Sequence, residues 1–360
     1  MRIDQLRQHL RAAGALPLHE HRVMRLWANA LPQAGGKRRP EDFLPKSVRA
    51  ELPAFVALLQ SLAQLREQHP AADGSARLLV GLADGQTVES VMLPRGGVCV
   101  STQVGCAVGC VFCMTGQSGL LRQLGSAEIV AQVALARSLR PVGKVVFMGM
   151  GEPAHNLDNV VDAIELLGAE GGIGHKNIVF STVGDRRVFE RLPLGRVKPA
   201  LALSLHSTKA DVRARLMPRA PSIGPEELVD LGERYARATG YPVQYQWALL
   251  DGINDTDEEL DGIVRLLHGK HAMLNMIPYN TVDGLAFQRP PAARSEAIAR
   301  TLLARGVLTK LRQSAGQDVD GGCGQLRARS VAGGAPAQAP VRVVRAPRII
   351  APAATPATAT

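Results

Sequence analysis

The stretch Cys106-Ala-Val-Gly-Cys110-Val-Phe-Cys113 decides how the chain is read. Three thiols stand four and three residues apart, with Gly105 and Gly109 in the same loop. Glycine accepts backbone angles closed to other residues, so this loop can fold back and aim three sulfurs at one centre. Soft thiolates converging on a point suit iron–sulfur clusters, zinc or copper(I). The plainer alternative is three buried structural cysteines. The number of thiols separates the metals. Structural zinc takes four protein ligands, catalytic zinc brings in His or a carboxylate, and nothing nearby supplies a fourth group. A [4Fe-4S] cluster held by three thiolates leaves one iron open.

Around this loop the pattern alternates strand and helix. Strands are expected at 98–101, 144–150, 177–182, 200–205, 243–250, 272–278 and 307–313. Helices are expected at 126–139, 157–169, 225–238, 255–267 and 292–304. Ser126 and Asp255 suit N-caps, and Pro225 suits a first helical turn. Such alternation implies an α/β fold with a parallel sheet, here a barrel or open partial barrel. Ligands bind such barrels at the C-terminal ends of the strands. Those ends read Met148-Gly-Met-Gly151-Glu152-Pro153, Ser181-Thr-Val-Gly184, Ser204-Leu205-His206 and Ile277-Pro-Tyr-Asn280. A lone strand-end Ser or Asn is more often a turn former. Convergence on one rim, beside the cysteine loop, raises the reading.

Residues 1–70 read as helices joined by a loop in which Lys37, Arg38, Arg39, Lys46 and Arg49 cluster. This region is either an accessory domain that grips phosphates or a helical cap on the larger domain. Residues 77–93 read as a β-hairpin turning at Asp84-Gly85, with Glu89 on its second arm. The division is therefore 1–75 helical accessory domain, 76–97 hairpin extension, 98–330 catalytic barrel and 331–360 tail. That tail is Ala, Pro and a few Arg and Val, and is read as disordered.

At 46% hydrophobic over 360 residues, a sizeable core can be buried. No apolar run reaches membrane-spanning length, and no signal-type apolar region follows Met1. A net charge of +10 suits a polyanion such as RNA. Five cysteines, an odd number with three clustered, point to a reducing compartment, the cytoplasm, and away from a structural disulfide framework. Cys323, set between glycines, reads as a mobile thiol or a small buried filler.

The run Cys99-Val-Ser-Thr-Gln-Val-Gly-Cys106, with Cys110, Phe112 and Cys113, resembles the radical S-adenosylmethionine (SAM) adenine methyltransferases of 23S rRNA. So do Gly151-Glu152-Pro153, Ser204-Leu205-His206, Leu250-Asp-Gly-Ile-Asn254 and Gly316-Gln-Asp-Val-Asp-Gly-Gly-Cys323-Gly-Gln-Leu326. The resemblance implies a partial (βα)6 barrel, with a [4Fe-4S] cluster on Cys106, Cys110 and Cys113 and SAM chelated by the open iron. Gly151, Glu152, Ser181, Ser204, Leu205, His206 and Asn280 would contact SAM. Cys323 would be S-methylated by one SAM. A second SAM would yield a 5′-deoxyadenosyl radical that activates that methyl group for addition to adenine. Glu89 would take the ring proton, and Cys99 would free the product through a Cys99–Cys323 disulfide. The implied substrate is an adenosine of 23S rRNA, and in some members of tRNA, methylated at C2; an antibiotic-resistance branch methylates C8. A flavodoxin-like electron donor and a monomeric state are further implications.

The chain departs from that family at Arg122-Gln-Leu124, where Arg-Asn-Leu is usual. It also departs at Gly321 and Gly322, usually alanines, and at Pro278-Tyr-Asn280-Thr281, usually Pro-Trp-Asn-Pro. The competing reading from another class is a zinc-binding RNA adaptor without catalysis.

Overall fold

The computed structural model describes residues 1–35, 39–282 and 284–328. Lys37 and Arg38 of the expected basic cluster, and the tail from 331 onward, lie outside the described residues.

The chain opens with three helices, α1 (Ile3–Ala12), α2 (Pro17–Ala28) and α3 (Lys46–Ser61). Helix α1 buries Ile3, Leu6 and Leu10, the i, i+3, i+7 stripe of an amphipathic helix. The expected helical stretch ends at Ser61, because β1 (Gln64–Pro70) follows. Its residues Gln-Leu-Arg-Glu-Gln-His-Pro are mostly exposed. As an edge strand it is held by backbone pairing to β2 (Ala76–Gly81), and a polar edge carries no apolar alternation to read. The expected hairpin, β2 with β3 (Thr87–Leu93), is thus the inner part of a three-stranded extension, and a boundary at 75/76 divides paired strands.

Next come β4 (Gly97–Cys99), β5 (Gln103–Gly105), α4 (Met114–Gln117), β6 (Leu120–Gln123) and α5 (Ser126–Leu139). The alternation then runs β7 (Lys144–Phe147), α6 (Leu157–Ala169), β8 (Ile178–Thr182), α7 (Arg186–Arg191), β9 (Ala200–Ser204), α8 (Ala210–Leu216) and α9 (Pro225–Thr239). It closes with β10 (Val243–Leu249), α10 (Asp257–Leu267), β11 (Ala272–Pro278), α11 (Ala292–Ala304) and β12 (Thr309–Leu311). The strands order as β1-β2-β3-β4-β7-β8-β9-β10-β11-β12, parallel from β4 onward. The ends β1 and β12 do not meet, so the expected open α/β partial barrel is what forms.

Two expected caps shift by one residue. Gly125 caps α5, and the Ser126 hydroxyl accepts instead from Ile3 N at 2.9 Å. Thr256 rather than Asp255 caps α10, accepting from Glu259 N.

The period of two along the strands decides what faces the site. Val145, Phe147, Ile178, Phe180, Leu201, Leu203, Tyr245 and Trp247 join the main core. Their alternates Val146, Val179, Ala200 and Ala202 form a separate small cluster on the other face. Alanines there leave room for a cavity. The N-terminal helices share the main core with the barrel, and Arg137 of α5 donates to Ala28 O at 2.7 Å. No helix among the described residues is long and apolar enough to cross a membrane.

Candidate active site

One cavity opens at the C-terminal ends of the parallel strands. Cys106, Cys110, Cys113, Gly151, Glu152, Ser181, Ser204, His206, Asn280 and Cys323 all line it. Ten of the thirteen residues singled out from sequence therefore share one wall. Leu205, Glu89 and Cys99 do not. Leu205 follows inward-facing Ser204, so the strand period turns its side chain outward, where it is fully buried in the main core.

The cysteine loop is built as its glycines require. Gly105 has φ +79° and Gly109 φ +66°. Val111 N donates to Leu216 O at 3.0 Å, and Cys106 N donates to Gly119 O at 2.9 Å. A Cβ on Gly105 would lie 1.9 Å from the Gly119 carbonyl oxygen. Gly105→Ala is expected to add about 1–3 kcal/mol of local strain and to open the β5–β6 pair. Iron bound per chain after anaerobic reconstitution should fall while far-ultraviolet dichroism holds.

Burial pushes the Cys106 thiol up to about 12 and the Cys110 thiol well above its ordinary value, and raises Cys113. Among the described residues, no three metal-ligating side chains are already drawn to coordination distance. The donor set nevertheless fits a cluster: three soft sulfurs on one loop, with iron replacing their protons.

Glu152 is buried, accepting from Ala154 N and Val183 N at 3.0 Å each. Burial lifts its carboxyl to about 7, a cost that an ammonium group in the cavity would relieve. Gly151 has φ +106°, and a Cβ there would meet the Gln103 side chain at 2.7 Å. His206 is held at φ +58°, a left-handed conformation that non-glycine residues keep only under surrounding constraint. Its Nδ1 accepts from Ala248 N at 2.9 Å, and its ring stands edge-on to Phe112 at 5.0 Å. Burial, then the charge of Arg213, pulls its pKa down to about 3. The ring is neutral, so its proton sits on Nε2 and that nitrogen is a donor.

Among the described residues, two cavity-lining acceptors are buried without a partner, Asn280 Oδ1 and Gln246 Oε1. Unpaired buried polar groups are rare, and these match the ammonium and ribose hydroxyls of SAM. Gln246 was not anticipated. Its signal was a polar residue between Tyr245 and Trp247 on a parallel strand, paired with Ser204 next door.

Cys323 is exposed, and its loop is tied to the cluster loop. Asn280 Nδ2 donates to Cys323 O at 2.9 Å, Met114 N to Gly324 O at 2.8 Å, and Thr115 Oγ1 to Leu326 O at 2.6 Å. Gly322 is forced by Asn280 and Gln325: a Cβ would stand 2.9 Å from Asn280 Nδ2 and 2.6 Å from Gln325 Oε1. Glu89 lies under this loop. It is ion-paired with Arg77, and its Oε2 accepts from Arg327 N at 2.8 Å. Arg77 Nε donates to Val319 O at 2.6 Å. Arg77→Met would leave a 1% exposed carboxylate unpaired, at about 3–5 kcal/mol. A clear drop in the thermal midpoint is the expected readout.

All five cysteines are free thiols. The expected Cys99–Cys323 disulfide is not part of this structure, in which the two sulfurs stand apart as free thiols. Cys323 also lines a second cavity, and Cys99 is found there.

Residues 100–267 match the model of the Radical SAM superfamily. A "Probable RNA methyltransferase" of Methylibium petroleiphilum is 74% identical, over 92% of this chain and 94% of that protein. One of the same description from Pseudomonas aeruginosa is 64% identical, over 95% and 99%. The crystal structure of a radical SAM methyltransferase from Sphaerobacter thermophilus superposes with a TM-score of 0.80 at 34% identity, covering 91% of this chain and 98% of that one.

Proposed function

The chain belongs to the radical SAM superfamily, and from that premise we propose that it is an RNA methyltransferase acting at C2 of an adenosine in 23S rRNA and in tRNA. The observation that carries this is the single wall on which three cluster-type thiols, unpaired acceptors and the exposed Cys323 stand together. The names of the relatives support RNA as substrate, and the site and sequence motifs support the ring carbon.

Adenine C2 bears an inert hydrogen and is not nucleophilic, so a methyl group cannot be delivered to it by simple displacement. Cys106, Cys110 and Cys113 would hold the cluster, which would supply one-electron reducing chemistry to a SAM bound beside it. This chain's residues do the rest. Glu152, Asn280 and Gln246 would accept hydrogen bonds from SAM, and His206 Nε2 would donate one. Cys323 Sγ would lose its proton and take a methyl group from sulfonium; that methyl would then give up one hydrogen atom, its carbon would bond the ring, and one electron would leave the adduct for the cluster. Glu89 removes the ring proton. Cys99 Sγ attacks Cys323 Sγ; the carbon–sulfur bond breaks, its electron pair stays on carbon, which is protonated, and an S–S bond forms.

The test is anaerobic reconstitution followed by incubation of rRNA and tRNA fragments with SAM and a flavodoxin-type reductant. A brown, iron-containing protein that yields 2-methyladenosine is expected. 8-Methyladenosine would move the assignment to the other ring carbon. A colourless protein holding one zinc and producing no methylated nucleoside would favour the adaptor reading.

A further inference from the structure

Beneath the cofactor cavity, toward the start of the parallel strands, lies a second cavity. Of the two, it is the one that reaches Cys99, and Cys323 stands in the wall of both. Val91, Cys99 and Val146 are neighbours across three strands and share its lining. Its charged groups are cationic: Lys144, the first residue of β7, and Arg312, just past β12. Lys144 is held below the ordinary lysine range by burial first, then by the charges of Arg312 and of Lys310. The charges acting on Lys144 are both cationic. Cations around a recess with apolar walls concentrate anions, while burial keeps Cys99 itself a protonated thiol, raised to about 12.

If each turnover leaves Cys99 and Cys323 joined, two electrons must enter before the next. Resting on that proposed pairing, we infer that the lower cavity admits a small thiol carrying negative charge, of the glutathione type, as the reductant of this disulfide. Its thiolate attacks Cys99 Sγ, the Cys99–Cys323 bond breaks, and Cys323 leaves and takes up a proton. A second small thiolate attacks the incoming sulfur of the mixed disulfide. Cys99 is released as a thiol, and a symmetrical small disulfide departs. Two small thiols are oxidised, and the chain gains two electrons and two protons. Attack at Cys99 lets the exposed Cys323 leave first; burial raises the Cys99 thiol, and the lesser opposing pull of Arg312 eases its departure second.

Two measurements test this on the cluster-loaded full chain under anaerobic conditions. In the first, reduced protein is alkylated with iodoacetate, which is anionic, or iodoacetamide, which is neutral, and Cys99 is followed by peptide mass spectrometry. Relative to the denatured chain, the iodoacetate-to-iodoacetamide rate ratio at Cys99 should rise about tenfold, an ordinary scale for electrostatic steering. It should return to about one in the triple variant K144Q/K310Q/R312Q. An unchanged ratio in that variant, or a Cys99 untouched by both reagents while Cys323 reacts fully, overturns the proposal. It is equally overturned if the variant weakens RNA binding with the ratio intact, which would make the cations a phosphate subsite. In the second, the pair is oxidised with diamide and reduced with glutathione or with the cationic thiol cysteamine; glutathione should be faster, and the variant should erase the difference. Should no Cys99–Cys323 disulfide form, the pairing itself falls, while the alkylation ratio still judges the cavity.

Discussion

Cys323→Ala is expected to abolish RNA methylation while leaving the protein brown, folded and loaded with iron. The hydrogen bonds that fix this loop run through backbone carbonyls, from Asn280 to Cys323 O and from Met114 to Gly324 O. Alanine keeps both. The thiol is exposed, so its loss removes little packing, within about 0.5 kcal/mol. What disappears is the sulfur that stands between the cluster loop and the lower cavity. Methyl label from SAM should appear on a Cys323 peptide in the wild type and nowhere on the variant. RNA methylation persisting in Cys323→Ala would remove the proposed carrier and with it the two-stage route to the ring.

That experiment depends on a residue that the chain's own chemistry marks only by its glycine neighbours, the rest coming from a resemblance. Other parts were more legible. Parallel strands announce themselves because apolar runs such as Lys-Val-Val-Phe and Ala-Leu-Ala-Leu-Ser alternate with amphipathic helices, and the period of two then selects Ser181 and Ser204 as inward-facing. The same period sends Leu205 into the core, something a motif taken as three consecutive residues cannot express. Strand β1 was invisible because an exposed edge strand is specified by backbone pairing, and its side chains answer to water. Glu89 shows the opposite limit. A carboxylate on a hairpin reads as a surface group, yet here it is buried against Arg77 and Arg327 N, because the C-terminal segment folds back across 238 positions of chain. Contacts of that separation carry no local signature. Gln246 was missed for a related reason: a polar residue on a buried strand declares itself only when the neighbouring strand and its register are known.

Cys99→Ala should stall the cycle one step later, and with a product that can be seen. The change leaves the cofactor wall intact, because Cys99 does not line it. Cluster loading, SAM binding and methylation of Cys323 should proceed. Release should not, since no second sulfur is available to attack Cys323 Sγ. A covalent RNA–protein species should therefore accumulate toward one per chain, surviving denaturing electrophoresis and collapsing to a nucleotide-bearing Cys323 peptide after nuclease and protease treatment. The resting state of Cys99 explains why the wild type does not resolve too early. Burial, reinforced by the neighbouring Cys323, pushes its thiol up to about 12, so at neutral pH it stays protonated and unreactive. A charge beside it must fall away or be offset before it can attack, and Arg312 is the cation that draws it down. Cys99→Ala combined with Arg312→Gln should give the same adduct as Cys99→Ala alone, while Arg312→Gln by itself should release more slowly than the wild type and hold a standing pool of adduct larger than the wild type's and smaller than that of Cys99→Ala. If Cys99→Ala turns over at the wild-type rate with no trapped species, resolution occurs by another nucleophile, and the two cysteines are not partners.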